Sequence, residues 1–139
     1  MSELADRAGA NAESAGELRQ GWQARLAGEW SPGGLPLNST SNALENSRVV
    51  KAGSGTLFGF SGFNNKGSAQ FVLVFDTDSV PAEGAVPKLV LTVPAAANFS
   101  YDGGIHGRAF QRGIVICNSS TAATKTIGSA DTWYDCQYV

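Results

Sequence analysis

The sequence predicts an all-β protein: an antiparallel β-sandwich or jelly roll of about eight strands, preceded by an N-terminal arm with a short helix. Three observations carry this. From residue 47 onward, runs rich in Val, Ile, Leu, Phe and Tyr alternate with clusters of Gly, Pro, Asn and Asp roughly every 8–12 residues. No helical periodicity separates those runs. Residues 1–45 are different, being built from Ala, Gly, Ser and charged residues with little to bury. The organisation that follows is an arm over 1–45 and a β domain over 46–139.

Within the arm, residues 1–16 lack a continuous apolar stripe, and a helix there would be marginal on its own. Residues 17–29 are better suited. Leu18, Trp22 and Leu26 fall at i, i+4 and i+8 and form a narrow stripe on one helix face. Gly28 weakens the end of that helix, and Pro32 with Gly33 and Gly34 stops it. Residues 30–45 (WSPGGLPLNSTSNALE) have the composition of a linker. Fully extended, they span about 50 Å, enough to strap across a neighbour. The arm helix fits two roles, packing on its own domain or docking on another subunit.

The β domain opens with a strand over 46–51 and a turn at Gly53-Ser54-Gly55. Residues 56–63 (TLFGFSGF) are the second strand, with Phe58 and Phe60 on one face and Leu57 and Phe63 on the other. Gly59 and Gly62 within it predict a bulge or a close backbone approach. Residues 64–67 (NNKG) read as a hairpin loop. The third strand, 68–76, is apolar on both faces through Phe71-Val72-Leu73-Val74-Phe75, which predicts a central position. A loop over 78–87, broken by Pro81, Gly84 and Pro87, precedes a half-exposed strand at 88–93. Short strands follow at 98–101 and 108–111, a buried one at 113–118 and another short one at 124–127. The last strand, 132–139, turns Tyr134, Cys136 and Tyr138 one way and Trp133, Asp135 and Gln137 the other.

Charged residues make up 16% of the 139, against about 25% in ordinary globular domains, as expected of a surface covered by partners. The formal charge is −2 and no basic run is present, so neither nucleic acid nor an anionic membrane is an expected partner. No stretch approaches the ~20 apolar residues of a membrane-spanning helix. Glu3 and Asp6 precede any apolar run, so the expected site of synthesis is a cytoplasm. The two cysteines, Cys117 and Cys136, stand in separate strands and outside any CxxC pattern. Buried free thiols are the leading reading and a disulfide the alternative.

No pattern in the sequence marks a catalytic, cofactor-binding or metal-ligating residue. His106, the single histidine, sits in the glycine-rich loop 103–107 beside Asp102 and Ser100, but no nucleophile-elbow motif accompanies them. Asp76, Asp78 and Glu83 place carboxylates on one loop, yet their spacing is not that of an EF-hand, and such residues also form turns. Contact residues are easier to name. Leu18, Trp22, Leu26 and Trp30 are candidate anchors in the arm. Tyr101, His106 and Trp133 are candidate surface contacts of the β domain, aromatics beside polar groups being common at interfaces and in sugar clefts.

Residues 49–60 (VVKAGSGTLFGF), 69–76 (AQFVLVFD), 81–87 (PAEGAVP) and 112–128 (RGIVICNSSTAATKTIG), with Trp133 and the closing Gln137-Tyr138-Val139, resemble small structural proteins of tailed bacteriophages. The resemblance covers roughly 48–139 and leaves out the arm. It implies a virion protein with a β-sandwich or jelly-roll module, of the cement or decoration type. The expected location is the capsid surface, after synthesis in the host bacterial cytoplasm. The expected partners are the major capsid protein or other virion proteins and further copies of the chain, as a dimer or trimer. Two alternatives remain open: a tail, fibre or baseplate component, and a carbohydrate-binding module using Trp133 or Tyr101. The resemblance brings no catalytic residues.

Overall fold

A computed structural model describes residues 36–139. The expected helix at 17–29 and the anchors Leu18, Trp22, Leu26 and Trp30 lie outside the described residues. These hold nine strands and no helix: β1 (Leu37–Thr40), β2 (Ser47–Ala52), β3 (Gly55–Asn64), β4 (Gln70–Phe75), β5 (Leu89–Val93), β6 (Ala97–Asp102), β7 (Arg108–Phe110), β8 (Gly113–Ser119) and β9 (Thr132–Tyr138). They form two antiparallel sheets. Sheet one has the order β1-β9-β3-β6, with β7 also on β3, and sheet two the order β2-β8-β4-β5.

With β7 set aside, the strands pair first with last (β1–β9), second with second-last (β2–β8), third with third-last (β3–β6), and the middle two together (β4–β5). This is one long hairpin rolled up and closed by the β3–β9 and β4–β8 ladders, the pairing scheme of a jelly roll. It corrects the expectation of a hairpin loop at 64–67. That loop carries the chain from sheet one to sheet two, and among sequential connections only β4–β5 joins hydrogen-bonded neighbours.

Burial explains why these sequences became these strands. Leu57, Phe60, Phe99, Tyr134 and Cys136 of sheet one face Val50, Val72, Val74, Val93, Ile114 and Ile116 of sheet two in the main core. Burying each large side chain contributes about 1.5–3 kcal/mol. β4 and β8 bury their other face as well: Leu73, Phe75, Val115 and Cys117 form a second cluster, with Phe71, Ala85 and Ile127 packed on it. The loops before β5 and after β8 make this cover. Lys125 exchanges backbone hydrogen bonds with Gly84 and Ala85, at 2.8 Å each. The buried Lys125 ammonium donates to the Pro81 carbonyl at 2.5 Å and lies 3.9 Å from Glu83. The central position read from the apolar run 71–75 is what the sheet order gives β4.

Three local expectations need correction. Phe58 and Phe60 do not share the inner face. The β3–β9 register shifts between Leu57 and Gly59, a bulge at Phe58, so Leu57 and Phe60 both point into the core. Residues 124–127 are not a strand: they hold one isolated bridge, Ser119 to Ile127, and single backbone hydrogen bonds to loop residues rather than a ladder. Residues 37–45, read as part of the linker, belong to the sheet. β1 pairs with β9, Glu45 bridges Thr132, and Ser41 is 7% exposed, its hydroxyl accepting from the Tyr134 N–H at 2.9 Å. Their polar composition suits an edge strand, which β9 recruits through backbone rather than side chains.

One end of the sandwich is plugged by a buried polar network. The Gln70 side-chain amide donates toward Asn64 (2.7 Å), Asp131 (3.0 Å) and Thr132 (3.1 Å). The Asn118 amide donates toward Ser129 (2.8 Å), Asp131 (3.0 Å) and Thr132 (3.0 Å), and its carbonyl oxygen accepts from Gly128 N–H at 3.0 Å. The network joins β3, β4, β8 and β9 and so fixes the register of both sheets against each other.

Candidate functional site

The centre of the outer face of sheet two, on β4 and β8, is covered by its own loops, while Val49 on β2 and Val90 on β5 stay exposed beside it. The outer face of sheet one has no such cover among the described residues. Strand register arranges that face in three rows. The first is Asn98–Phe63–Trp133, the second Ser100–Ser61–Asp135–Thr40, the third Asp102–Gly59–Gln137–Asn38. Beyond Phe63, the outward residues of the middle strand β3 are small, Ser61 and Gly59, while Asn98 and Asp102 on β6 and Asp135 and Gln137 on β9 are longer polar side chains. The result is a shallow trough along β3.

Two hollows mark its ends. One, of about 530 Å³, is lined by Phe63, Trp133, Asn98, Ser61 and Ser100 with the edges of Gly62 and Phe99. The other, of about 380 Å³, lies between Phe58, Gly59, Asp102, Ile105, Gln137 and Pro36. Trp133 is 39% exposed, and Ile105 49%. Gly59 is required in the floor, since a Cβ there would stand 2.7 Å from the Tyr101 carbonyl oxygen. Fixed polar groups line the sides. The Asp135 carboxylate accepts from the Thr40 hydroxyl at 2.9 Å, and the Asp102 carboxylate from the Gly104 N–H at 2.8 Å.

The structure separates the three surface candidates. Trp133 lies in the trough. Tyr101 is half-buried: its ring stacks on Phe60, with centroids 5.2 Å apart and planes at 25°, and the residue also borders the smaller hollow. His106 is exposed in the loop 103–107, which bulges out where β6 and β7 follow one another along the edge of β3. Ser100 faces the trough and the Asp102 carboxylate is engaged by Gly104, so the imagined Ser–His–Asp set is not brought together by hydrogen bonds among the described residues. Sequence reasoning placed Trp133, Asp135 and Gln137 on one face but missed Phe63, Ser61, Asn98 and Ser100 beside them. The alternation in each strand was legible, but which strands are neighbours was not.

Two of the carboxylates considered for calcium, Asp76 and Glu83, serve other ends. Asp76 accepts N–H groups of Gln111 (3.1 Å), Arg112 (2.8 Å) and Gly113 (3.4 Å), with Lys88 at 3.9 Å. Partial burial raises its pKa, but the backbone N–H of Arg112, Gln111 and Gly113 and the charge of Lys88 outweigh this and hold it below the usual value. Lys88 also lies 4.5 Å from the centroid of the Phe110 ring and donates to the Ala109 carbonyl. Glu83 accepts from the Ile127 N–H at 3.1 Å. Among the described residues no group of three or more His, Cys, Asp or Glu is placed to hold a metal ion. No described helix is long and apolar enough to cross a membrane. Cys117 and Cys136 are free and buried, in the second cluster and the main core respectively.

No family model matches this chain. No curated protein matches it either. Among solved structures, the coat protein of Tobacco streak virus aligns over 73% of this chain and 84% of its own, at 14% identity and a TM-score of 0.36. At that level the likeness carries no argument about fold or function.

Proposed function

We propose that the protein is a structural component of a tailed-phage virion, a cement or decoration protein that stabilises the shell by bridging major capsid protein subunits. The observation that carries this reading is the jelly-roll pairing of the strands. It is the architecture implied by the phage-like segments within 48–139, and one used by viral capsid proteins. The carboxylates of the fold close turns and cap backbone N–H groups, as expected of a protein built for contact. In this reading the arm, with Leu18, Trp22, Leu26 and Trp30, lies along neighbouring subunits. The β domain forms a dimer or trimer on the outer capsid surface, after synthesis in the host bacterium. Each further contact multiplies the hold on the shell through avidity.

The test is the position and copy number of the protein in an intact particle, with shell binding of a chain lacking residues 1–35. That deletion spares β1, which a cut at residue 45 would destroy. Hundreds of copies on the shell, and binding lost with the arm, support the reading. A handful of copies at the tail, fibre or baseplate replaces it, and full binding without the arm removes the arm's role.

A further inference from the structure

We propose that the trough on the outer face of sheet one binds a neutral oligosaccharide. The inference is independent of the cement reading, since it rests on side chains that face away from the core and on none of the arm.

The lining of the trough excludes several classes of ligand. Neither hollow is lined by Lys, Arg or His, and Asp102 and Asp135 flank the floor. A phosphate backbone or an acidic sugar would meet carboxylates and no cation. An extended peptide lying in the trough has nothing to pair with, because the backbone of β3 beneath it is already bonded to β6 and β9 on both sides. A purely apolar partner would have to desolvate Ser61, Ser100, Asn98, Asp135 and Gln137 without replacing their hydrogen bonds.

A neutral polyol meets each feature. A pyranose ring offers a flat patch of C–H groups on one side and hydroxyls around its rim. Trp133 and its cross-strand partner Phe63 supply an exposed aromatic wall for the C–H side. Asn98, Ser61 and Ser100 supply donors and acceptors for the hydroxyls. Asp102 and Asp135 each have one oxygen pinned, by Gly104 and Thr40, which presents the other at a fixed place. From the Phe63 row to the Gly59 row is about 13 Å, and from β6 to β9 about 10 Å. Those are the dimensions of a short oligosaccharide lying along β3, with Phe58 and Ile105 closing the far end.

The full chain is applied to a printed array of neutral glucans, mannans, galactans and N-acetylhexosamine oligomers, with acidic glycans alongside. The expected result is binding to at least one neutral series. Trp133→Ala weakens it by at least about tenfold, while Trp133→Phe retains most of it. Ser61→Tyr, which fills the trough from its half-buried floor, abolishes binding and keeps the test open if Trp133→Ala folds poorly. Four results overturn the proposal. These are no binding to any neutral series, binding indifferent to both Trp133→Ala and Ser61→Tyr, equal or stronger binding to acidic glycans, and binding that appears only after Trp22→Ala and Trp30→Ala. The last would mean that the arm occupies the trough.

Discussion

Phe99 and Tyr134 meet edge to face across Gly62, their ring centroids 6.4 Å apart and their planes at 63°. Gly62 is the register partner of both, on the middle strand between them. A Cβ at Gly62 would stand 1.9 Å from the Trp133 carbonyl oxygen and 2.5 Å from Phe99 Cζ. The missing side chain lets two aromatic rings from opposite neighbours close over one strand.

Gly62→Ala is therefore expected to destabilise the fold by about 3 kcal/mol or more, because backbone as well as a ring must shift. Gly67→Ala, where nothing lies within 4 Å, is expected to stay within about 0.5 kcal/mol of wild type. Urea unfolding midpoints check both. Equal stability of the two variants would remove the packing role given to Gly62.

Asp76 joins the end of β4 to the turn between β7 and β8 through three backbone N–H groups. Its folded pKa lies below its ordinary value of 3.8, so its contribution is present above that value. The contribution is lost as pH falls through the lowered one. Asp76→Asn is expected to cost about 2 kcal/mol at pH 7. The gap to wild type should close as the pH is taken down from about 5 to about 2. A gap constant with pH would mean that the carboxylate's charge has no part in holding the turn.

Burial pushes the Cys117 thiol up to about 11 and the Cys136 thiol up to about 12. At pH 8 the thiolate fraction of Cys117 is on the order of one in a thousand, and both sulfurs are enclosed. A disulfide-exchange reagent is expected to label the native protein only as fast as it unfolds, and to label both thiols at once in urea. Rapid labelling of Cys117 alone would show that the loops over sheet two open without global unfolding.

Asn118→Ala removes donors from Ser129, Asp131 and Thr132 and leaves the Gly128 N–H without its acceptor. The expected cost is about 3 kcal/mol, more than for truncating an exposed polar side chain such as Asn98. Thermal melts of Asn118→Ala and Asn98→Ala make the comparison. Similar melting temperatures would mean that the polar plug contributes little.

Strand existence was legible because each strand carries its own record of burial. The apolar run of β4 and the β8 sequence GIVICNS fill both faces of central strands, and both are buried on both sides. β9 declares its alternation through Tyr134 and Cys136 against Trp133 and Asp135. Gly59 and Gly62 point to a bulge or a close backbone approach in β3, but not to its position at Phe58: a one-residue slip reverses every face assignment before it, and only the partner strand fixes the slip. β1 was hidden for a related reason. Leu37-Asn38-Ser39-Thr40 has no burial of its own to announce, and its strand character comes from the free edge of β9.

Local patterning was enough for the all-β class, most of the strands, the leading reading of buried free thiols and the outward aspect of Trp133. These are local properties, set by which side chains need shelter from water. The rolled-hairpin order, in which neighbours along the chain mostly lie in opposite sheets, emerges only in the folded chain. That order brings Phe63, Ser61, Asn98, Ser100 and Trp133 together as one trough. Side chains 35 residues apart become neighbours through backbone ladders, whose hydrogen bonds are the same for every residue type and leave no mark on the sequence.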